Sequence, residues 1–132
     1  MSNYKSINHS KYNIKYHLIF VCKYRKKLLI KYGEEIKQIM KDISYKYDFD
    51  ILEIKVDKDH IHIMIKSVPK LSPLMIVRVL KQQSTQVIYG RYRNELKKQF
   101  WKENTFWTDG YFCSNIGEVS SETLKRYIEN QG

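Results

Sequence analysis

The chain has 132 residues, enough for one domain with a real core, and 42% of them are hydrophobic, which excludes a disordered tail. Twenty-four Lys and Arg against 14 Asp and Glu leave a formal charge of +10, pointing to a polyanionic partner through phosphate neutralisation and counterion release. No apolar run approaches the roughly 18–20 residues of a bilayer span, and the opening MSNYKSINHSKYN lacks the apolar segment of a secretory signal, so a cytoplasmic protein is expected.

Residues 1–11 read as a loose polar arm. From Tyr12 to Tyr24 apolar and aromatic residues alternate, which predicts a long strand with Tyr12, Ile14, Tyr16, Leu18, Phe20, Cys22 and Tyr24 on one face. Ile36, Ile39, Met40, Ile43 and Tyr47 recur at helical spacing, predicting an amphipathic helix from near Gly33 to before Asp48. Ile51 to Val56 is β-rich, Asp57, Lys58 and Asp59 carry turn chemistry, and Ile61, Ile63 and Ile65 repeat with period two. An antiparallel hairpin is expected there.

Ser72-Pro73 has the N-cap and first-turn residues of a helix start. That helix is expected to bury Leu74, Val77, Leu80, Ser84, Val87 and Ile88, and to break near Gly90 or run on through Leu96. A loop rich in aromatics (Phe100, Trp101, Phe106, Trp107) precedes a short strand, Tyr111 to Ser114. Gly117 and Ser120 introduce a last helix, Ser121 to Gln131, with Leu124 and Ile128 on its packing face. No repeat or linker interrupts the chain, so residues 1–132 form one domain. The order β-α-β-β-α-β predicts an α+β, ferredoxin-like split βαβ antiparallel sheet with an additional C-terminal helix. Many unrelated activities use that arrangement.

Function must come from particular residues. In Asp59-His60-Ile61-His62-Ile63, side chains two apart on a strand share a face, so His60 and His62 leave one face while Ile61 and Ile63 enter the other. Two same-face imidazoles can share a metal ion; two hydrogen-bonded surface histidines is the plainer reading. With metal, a third protein group is required. Tyr127 and Gln131 lie four apart on the last helix and therefore point to one region. A tyrosine can be a covalent nucleophile, yet a tyrosine on an amphipathic helix is ordinarily a packing residue. Cys22 and Cys113 stand too far apart in sequence for a CxxC motif and read as buried thiols in a reducing compartment. The positive charge also has a bland source. The chain has no alanine and is crowded with Lys, Ile, Tyr and Asn, a bias that an AT-rich genome or life at high temperature produces too. Eleven tyrosines suit base stacking, though core and surface packing account for most of them.

The segments YHLIFVCKYRKKLL (16–29), VDKDHIHIMIKSVP (56–69), LKQQST (80–85), FWTDGYFCSNIG (106–117) and VSSETLKRYIENQ (119–131), in this order, resemble the small single-tyrosine HUH transposases of the IS200-like superfamily. HUH denotes histidine, bulky hydrophobic, histidine, here His60, Ile61 and His62. One departure is Gln82, where relatives often carry glycine. The resemblance implies a prokaryotic, cytoplasmic transposase that cuts and rejoins single-stranded DNA. Tyr127 would attack the scissile phosphate and form a 5′-phosphotyrosine link, and His60, His62 and Gln131 would hold Mg²⁺ or Mn²⁺. It further implies a homodimer that binds hairpins near the element ends, with the tyrosine helix of one subunit completing the histidine pair of the other. Candidate DNA contacts are Lys23, Arg25, Lys26 and Lys27 after the first strand, Arg78 and Lys81 on the second helix, and Arg91 and Arg93 beyond. Two other functions remain open: a metal-dependent nuclease without a covalent intermediate, and a non-catalytic single-stranded nucleic-acid-binding module.

Overall fold

In the computed structural model, which describes residues 5–7, 10–115 and 121–131, the alternating patterns form the middle of one sheet. After two short paired strands, β1 (Lys5–Ile7) and β2 (Ser10–Tyr12), comes β3 (Ile14–Val21). β4 (Asp50–Val56) and β5 (His60–Ser67) form the expected hairpin, and β6 (Phe112–Asn115) completes the antiparallel order β4-β5-β3-β6. β5 thus lies between β3 and β4, which is the split βαβ arrangement with an α+β layering. Helices α1 (Leu29–Ser44) and α2 (Pro73–Gln99) cover one face, and α3 (Ser121–Glu129) follows β6. The arm assigned to residues 1–11 contains the β1–β2 pairing.

The core lies between the sheet and α1 with α2. Leu18 and Phe20 from β3, Ile61, Ile63 and Ile65 from β5, Ile36 and Met40 from α1, and Ile76, Leu80 and Ile88 from α2 are all at most 1% exposed. The opposite phase of β3 also leaves water at its end, with Ile19 and Val21 fully buried. Both faces of the sheet centre are therefore covered.

Four local expectations are corrected. β3 stops at Val21, not Tyr24, because Lys23–Arg25 forms a 3₁₀ turn in which Tyr24 and Arg25 have φ of 60° and 52°. Main-chain bonds hold the chain in this path: Cys22 N–H donates to the Asp59 carbonyl at 2.8 Å and Lys23 N–H to that of Phe106 at 2.9 Å. α1 begins at Leu29 rather than near Gly33. Gly33 sits inside the helix where it crosses β4, and a Cβ there would meet Val56 Cγ2 at 3.1 Å. Close approach, not a helix boundary, explains that glycine.

α2 starts as read, with the Ser72 hydroxyl accepting from Met75 N–H at 3.1 Å, but it passes through Gly90 and kinks at Tyr92 (φ −133°, ψ 39°). An interior glycine costs about 1 kcal/mol. Burial of Tyr89 and Leu96, with Tyr92 bonded to Glu35 and Tyr32 to Glu95, ties the far half of α2 to α1 and outweighs that cost. The buried stripe of α2 also includes Ile76 and Tyr89, while Leu74 and Val87 are 45% and 36% exposed. Finally, the third-helix lead-in at Gly117 and Ser120 lies outside the described residues.

Candidate active site

β5 presents the two histidines as its period demands: Ile61, Ile63 and Ile65 are buried in the core, and His60 and His62 emerge from the other face. Their ring centroids are 5.0 Å apart. Each Nδ1 is already engaged. That of His60 lies 2.8 Å from Asp59 Oδ1, and that of His62 lies 3.2 Å from His17 Nε2 on the neighbouring strand. Asp59 is itself gripped by Arg25 Nε at 3.3 Å. Burial pushes the Asp59 carboxyl up, but hydrogen bonds from His60 and Arg25 more than offset it and leave its pKa below the ordinary value. Burial, then the neighbouring His60 and His17, pulls the His62 pKa down to about 4, and burial lowers that of His17 against an opposing pull from Glu53. A neutral imidazole is the form that binds metal.

With both Nδ1 atoms occupied, each ring has its Nε2 left for a ligand, and the carboxylate behind His60 is the orienting partner that metal-bound histidines commonly have. This donor set fits a divalent cation as two of its ligands. Among the described residues no three His, Cys, Asp or Glu side chains are grouped to hold a metal. A pocket of about 290 Å³ opens beside His62, lined by His17, Glu53, Lys55, His62 and Met64.

Tyr127 belongs to the same face. Cross-strand register aligns His62 with Ile19 and Ile19 with Phe112, so one row of side chains crosses β5, β3 and β6. The Tyr127 ring packs on Phe112 at 5.6 Å between centroids. Its hydroxyl and the Gln131 Oε1 converge on Gly110, 3.8 Å and 4.0 Å from where a Cβ would stand. The hydroxyl is buried with no hydrogen-bond partner. Burial raises its pKa, and a weak hydrogen bond from the Thr108 side chain, outside ordinary geometry, counters only part of that rise. The Tyr127 ring packs over β6, two strands from β5 in the sheet order, while the pocket beside His62 opens toward β4. The structure thus pairs His60 with His62 and Tyr127 with Gln131 on one face of the sheet.

The basic candidates separate by environment. Lys81 is inward: its ammonium donates to the carbonyls of Thr108, Asp109 and Gly110 at 2.7, 3.2 and 2.6 Å. Burial draws its pKa down to about 8. It tethers the loop beneath Tyr127, and no donor is left for a phosphate. Arg25 holds Asp59, Arg91 pairs with Glu35 at 3.1 Å, Lys26 donates to Gln99, and Lys23 approaches Asp109 at 3.6 Å. Lys27 is exposed. Arg78 and Arg93 make no ion pair among the described residues and line a groove of about 840 Å³ between α2 and residues 104–111, which Gln82 also lines. Sequence reasoning missed His17, Asp59 and Gly110. Asp59 was legible as the neighbour of His60; His17 was legible only through its strand phase, opposite that of Leu18.

An antiparallel α+β domain with paired histidines on a central strand and a buried tyrosine on a helix over the same face is the class defined by these coordinates. The family model for IS200-like transposases matches residues 10–131, and the chain belongs to that family. It is 30% identical to the transposase of insertion sequence element IS200 of Salmonella typhimurium, over 99% of this chain and 85% of that protein. To the ISDra2 transposase TnpA of Deinococcus radiodurans it is 28% identical, over 91% and 85%. A crystal structure from Deinococcus radiodurans R1, assigned as a transposase, superposes with a TM-score of 0.87 at 26% identity over 96% of this chain and 97% of that one. A REP-associated tyrosine transposase bound to a REP hairpin shares the fold, with a TM-score of 0.57 at 13% identity over 98% and 69%.

Proposed function

We propose that this transposase cleaves and rejoins single-stranded DNA through Tyr127, excising and inserting a small insertion sequence. The observation that carries the reading is the buried Tyr127 hydroxyl, at most weakly bonded by Thr108, beside Gln131 on the sheet face that presents His60 and His62. A polar hydrogen kept from water without a partner is destabilising, and such costs concentrate where a group is kept for chemistry.

In the proposed reaction the Tyr127 oxygen attacks the scissile phosphorus, the bond to the 3′ oxygen breaks, and that oxygen leaves as a 3′-hydroxyl. The phosphotyrosine retains the phosphoester, so another 3′-hydroxyl can reverse the step without ATP. His60, His62 and Gln131 would hold Mg²⁺ or Mn²⁺. When bound, the ion supplies Lewis-acid stabilisation of charge on the phosphoryl and leaving oxygens. Asp59 fixes the His60 ring, and Lys81 fixes the loop against which Tyr127 and Gln131 rest. The family resemblance further suggests a homodimer that shares sites between subunits. The hairpin seen with the REP-associated relative suggests hairpin DNA as substrate.

The test incubates the protein with labelled single-stranded hairpin DNA and Mn²⁺, then denatures it. The expected result is a labelled protein band that Tyr127→Phe abolishes. A band surviving that substitution means another nucleophile, cleavage without a band means a metal-dependent nuclease, and intact DNA means a binding module.

A further inference from the structure

The turn after β3 carries an oddity that the cleavage reaction leaves unused. Tyr24 and Arg25 are consecutive residues with φ of 60° and 52°, and neither is Gly, Asn or Asp. Bulky residues seldom occupy this region. Arg25 N–H to Cys22 carbonyl and Lys26 N–H to Lys23 carbonyl bonds, at 2.8 and 3.2 Å, hold them there. The result is a tyrosine ring projected outward, 63% exposed. It leans on Phe100, 6.3 Å between centroids, at the end of α2, and the next residue, Trp101, is 75% exposed. Each of these three rings has an ammonium above it: Lys23 over Tyr24 at 5.6 Å, Lys26 over Phe100 at 5.5 Å and Lys102 over Trp101 at 5.0 Å.

We propose that Tyr24 and Trp101 form a stacking platform for unpaired bases of single-stranded DNA, with Lys23, Lys26 and Lys102 neutralising the phosphates between them. Exposed aromatic faces interleaved with cations are the chemistry that grips single strands regardless of sequence. Tyr24 rests on Phe100 and Trp101 follows it in the chain, so two exposed rings share this end of α2, and a strained backbone position that serves to present one of them marks a site. The platform is coupled to the histidine pair. Arg25, within the same turn, grips Asp59, which holds His60. The inference rests on the single-stranded-DNA reading for the identity of that strand, but not on the covalent chemistry.

Tyr127→Phe protein in EDTA, which cannot cleave, is titrated with an unstructured oligothymidylate of about 12 nucleotides and with an abasic strand of equal length and charge. The readouts are tryptophan emission and sedimentation velocity. Trp107 is buried, so quenching reports Trp101, and Trp101→Phe should abolish it. Oligothymidylate should quench and bind at least about tenfold tighter than the abasic strand. Trp101→Ala and Tyr24→Ala should each weaken it about tenfold, with unchanged melting temperatures because both rings are exposed. Tyr24→Gly should bind as poorly as Tyr24→Ala while melting higher, since glycine suits the left-handed backbone. Equal binding of both strands, or undiminished binding by Trp101→Ala and Tyr24→Ala, overturns the platform. So does an altered oligomeric state in those variants with DNA binding intact, which would make the patch a subunit contact. Failure of the wild-type protein to form the phosphotyrosine adduct with Mn²⁺, while this titration still shows base-dependent quenching, would refute the cleavage mechanism and leave the platform standing.

Discussion

Tyr127→Phe should make the folded protein more stable while removing the proposed nucleophile. The ring keeps its contact with Phe112, so no apolar burial is lost. What disappears is a hydroxyl held from water without a partner, and leaving such a group unsatisfied costs about 1–3 kcal/mol. The Thr108 hydroxyl is close enough to relieve part of that cost, so a gain near the lower end, about 1 kcal/mol, is expected. In a domain of this size 1 kcal/mol raises the melting temperature by about 3–4 °C. Calorimetry gives the global value, and hydrogen exchange of the α3 amides locates it. The pH dependence supplies a second check. Burial raises the folded pKa of Tyr127 above its ordinary value of 10.0, so the unfolded chain ionises first. Wild type should therefore lose stability relative to Tyr127→Phe as the pH rises past 10. A substitution that lowers the melting temperature would show that the hydroxyl is bonded in solution, and the argument from an unsatisfied group would fall.

Lys81→Met keeps the buried stem and removes three donors, stranding the buried Thr108 carbonyl while those of Asp109 and Gly110 stay reachable by water. About 2 kcal/mol of stability should be lost, seen as a lower denaturation midpoint. Because the folded pKa of Lys81 is near 8 against 10.5 ordinarily, the unfolded chain binds more protons between those values. Wild type should then gain on the Met variant as pH rises through that window, and a falling difference would contradict the burial of the ammonium. Asp59→Asn should weaken Mn²⁺ binding about tenfold by freeing the His60 ring, measured by titration calorimetry; an unchanged affinity would remove Asp59 from the site. Ile63→Ala, at a position with no solvent exposure between Leu18 and Ile54, should cost about 3–4 kcal/mol in urea unfolding, and a loss under 1 kcal/mol would mean the sheet centre is not the packed core described.

The sheet was readable from sequence because its signals are local. Period-two isoleucines place His60 and His62 on one face whatever surrounds them, and Ser72-Pro73 caps α2 through atoms three residues apart. The misread positions depend on distant partners. Gly33 resembles a helix boundary until Val56 is seen to press against it, and Gly90 resembles a break until Glu35 and Glu95 are seen to bind Tyr92 and Tyr32. The alternation that ends in Tyr24 continues past the true end of β3, because what turns the chain is a carbonyl of Phe106, more than eighty residues on. The same division holds at the site. Tyr127 and Gln131 share a helix face by spacing alone. Their place over β6, and the roles of His17 and Lys81, depend on register and loop path that no local pattern encodes.

The turn after β3 is where these long-range contacts gather. On one side Arg25 reaches Asp59 and through it His60; on the other, Lys23 N–H binds the Phe106 carbonyl and Val21 accepts from Thr108 N–H at 2.7 Å, fixing the loop that Lys81 clamps beneath Tyr127. The two halves of the candidate site are thus positioned from one strand end, yet by different means. The histidine pair is part of the sheet and cannot move without breaking the ladder of β5. Tyr127 and Gln131 meet the sheet through Phe112 and the Cβ-free surface of Gly110, and among the described residues the tyrosine hydroxyl has only Thr108 within reach. Separating α3 from its own sheet gives up only the weak contact of the tyrosine hydroxyl with Thr108 and exposes it to solvent, which would lower the energetic cost of exchanging that helix between subunits in the proposed dimer. A hydroxyl satisfied at Gly110 would hold the helix at home. The proposed site shared between two copies of this chain draws on that weak attachment.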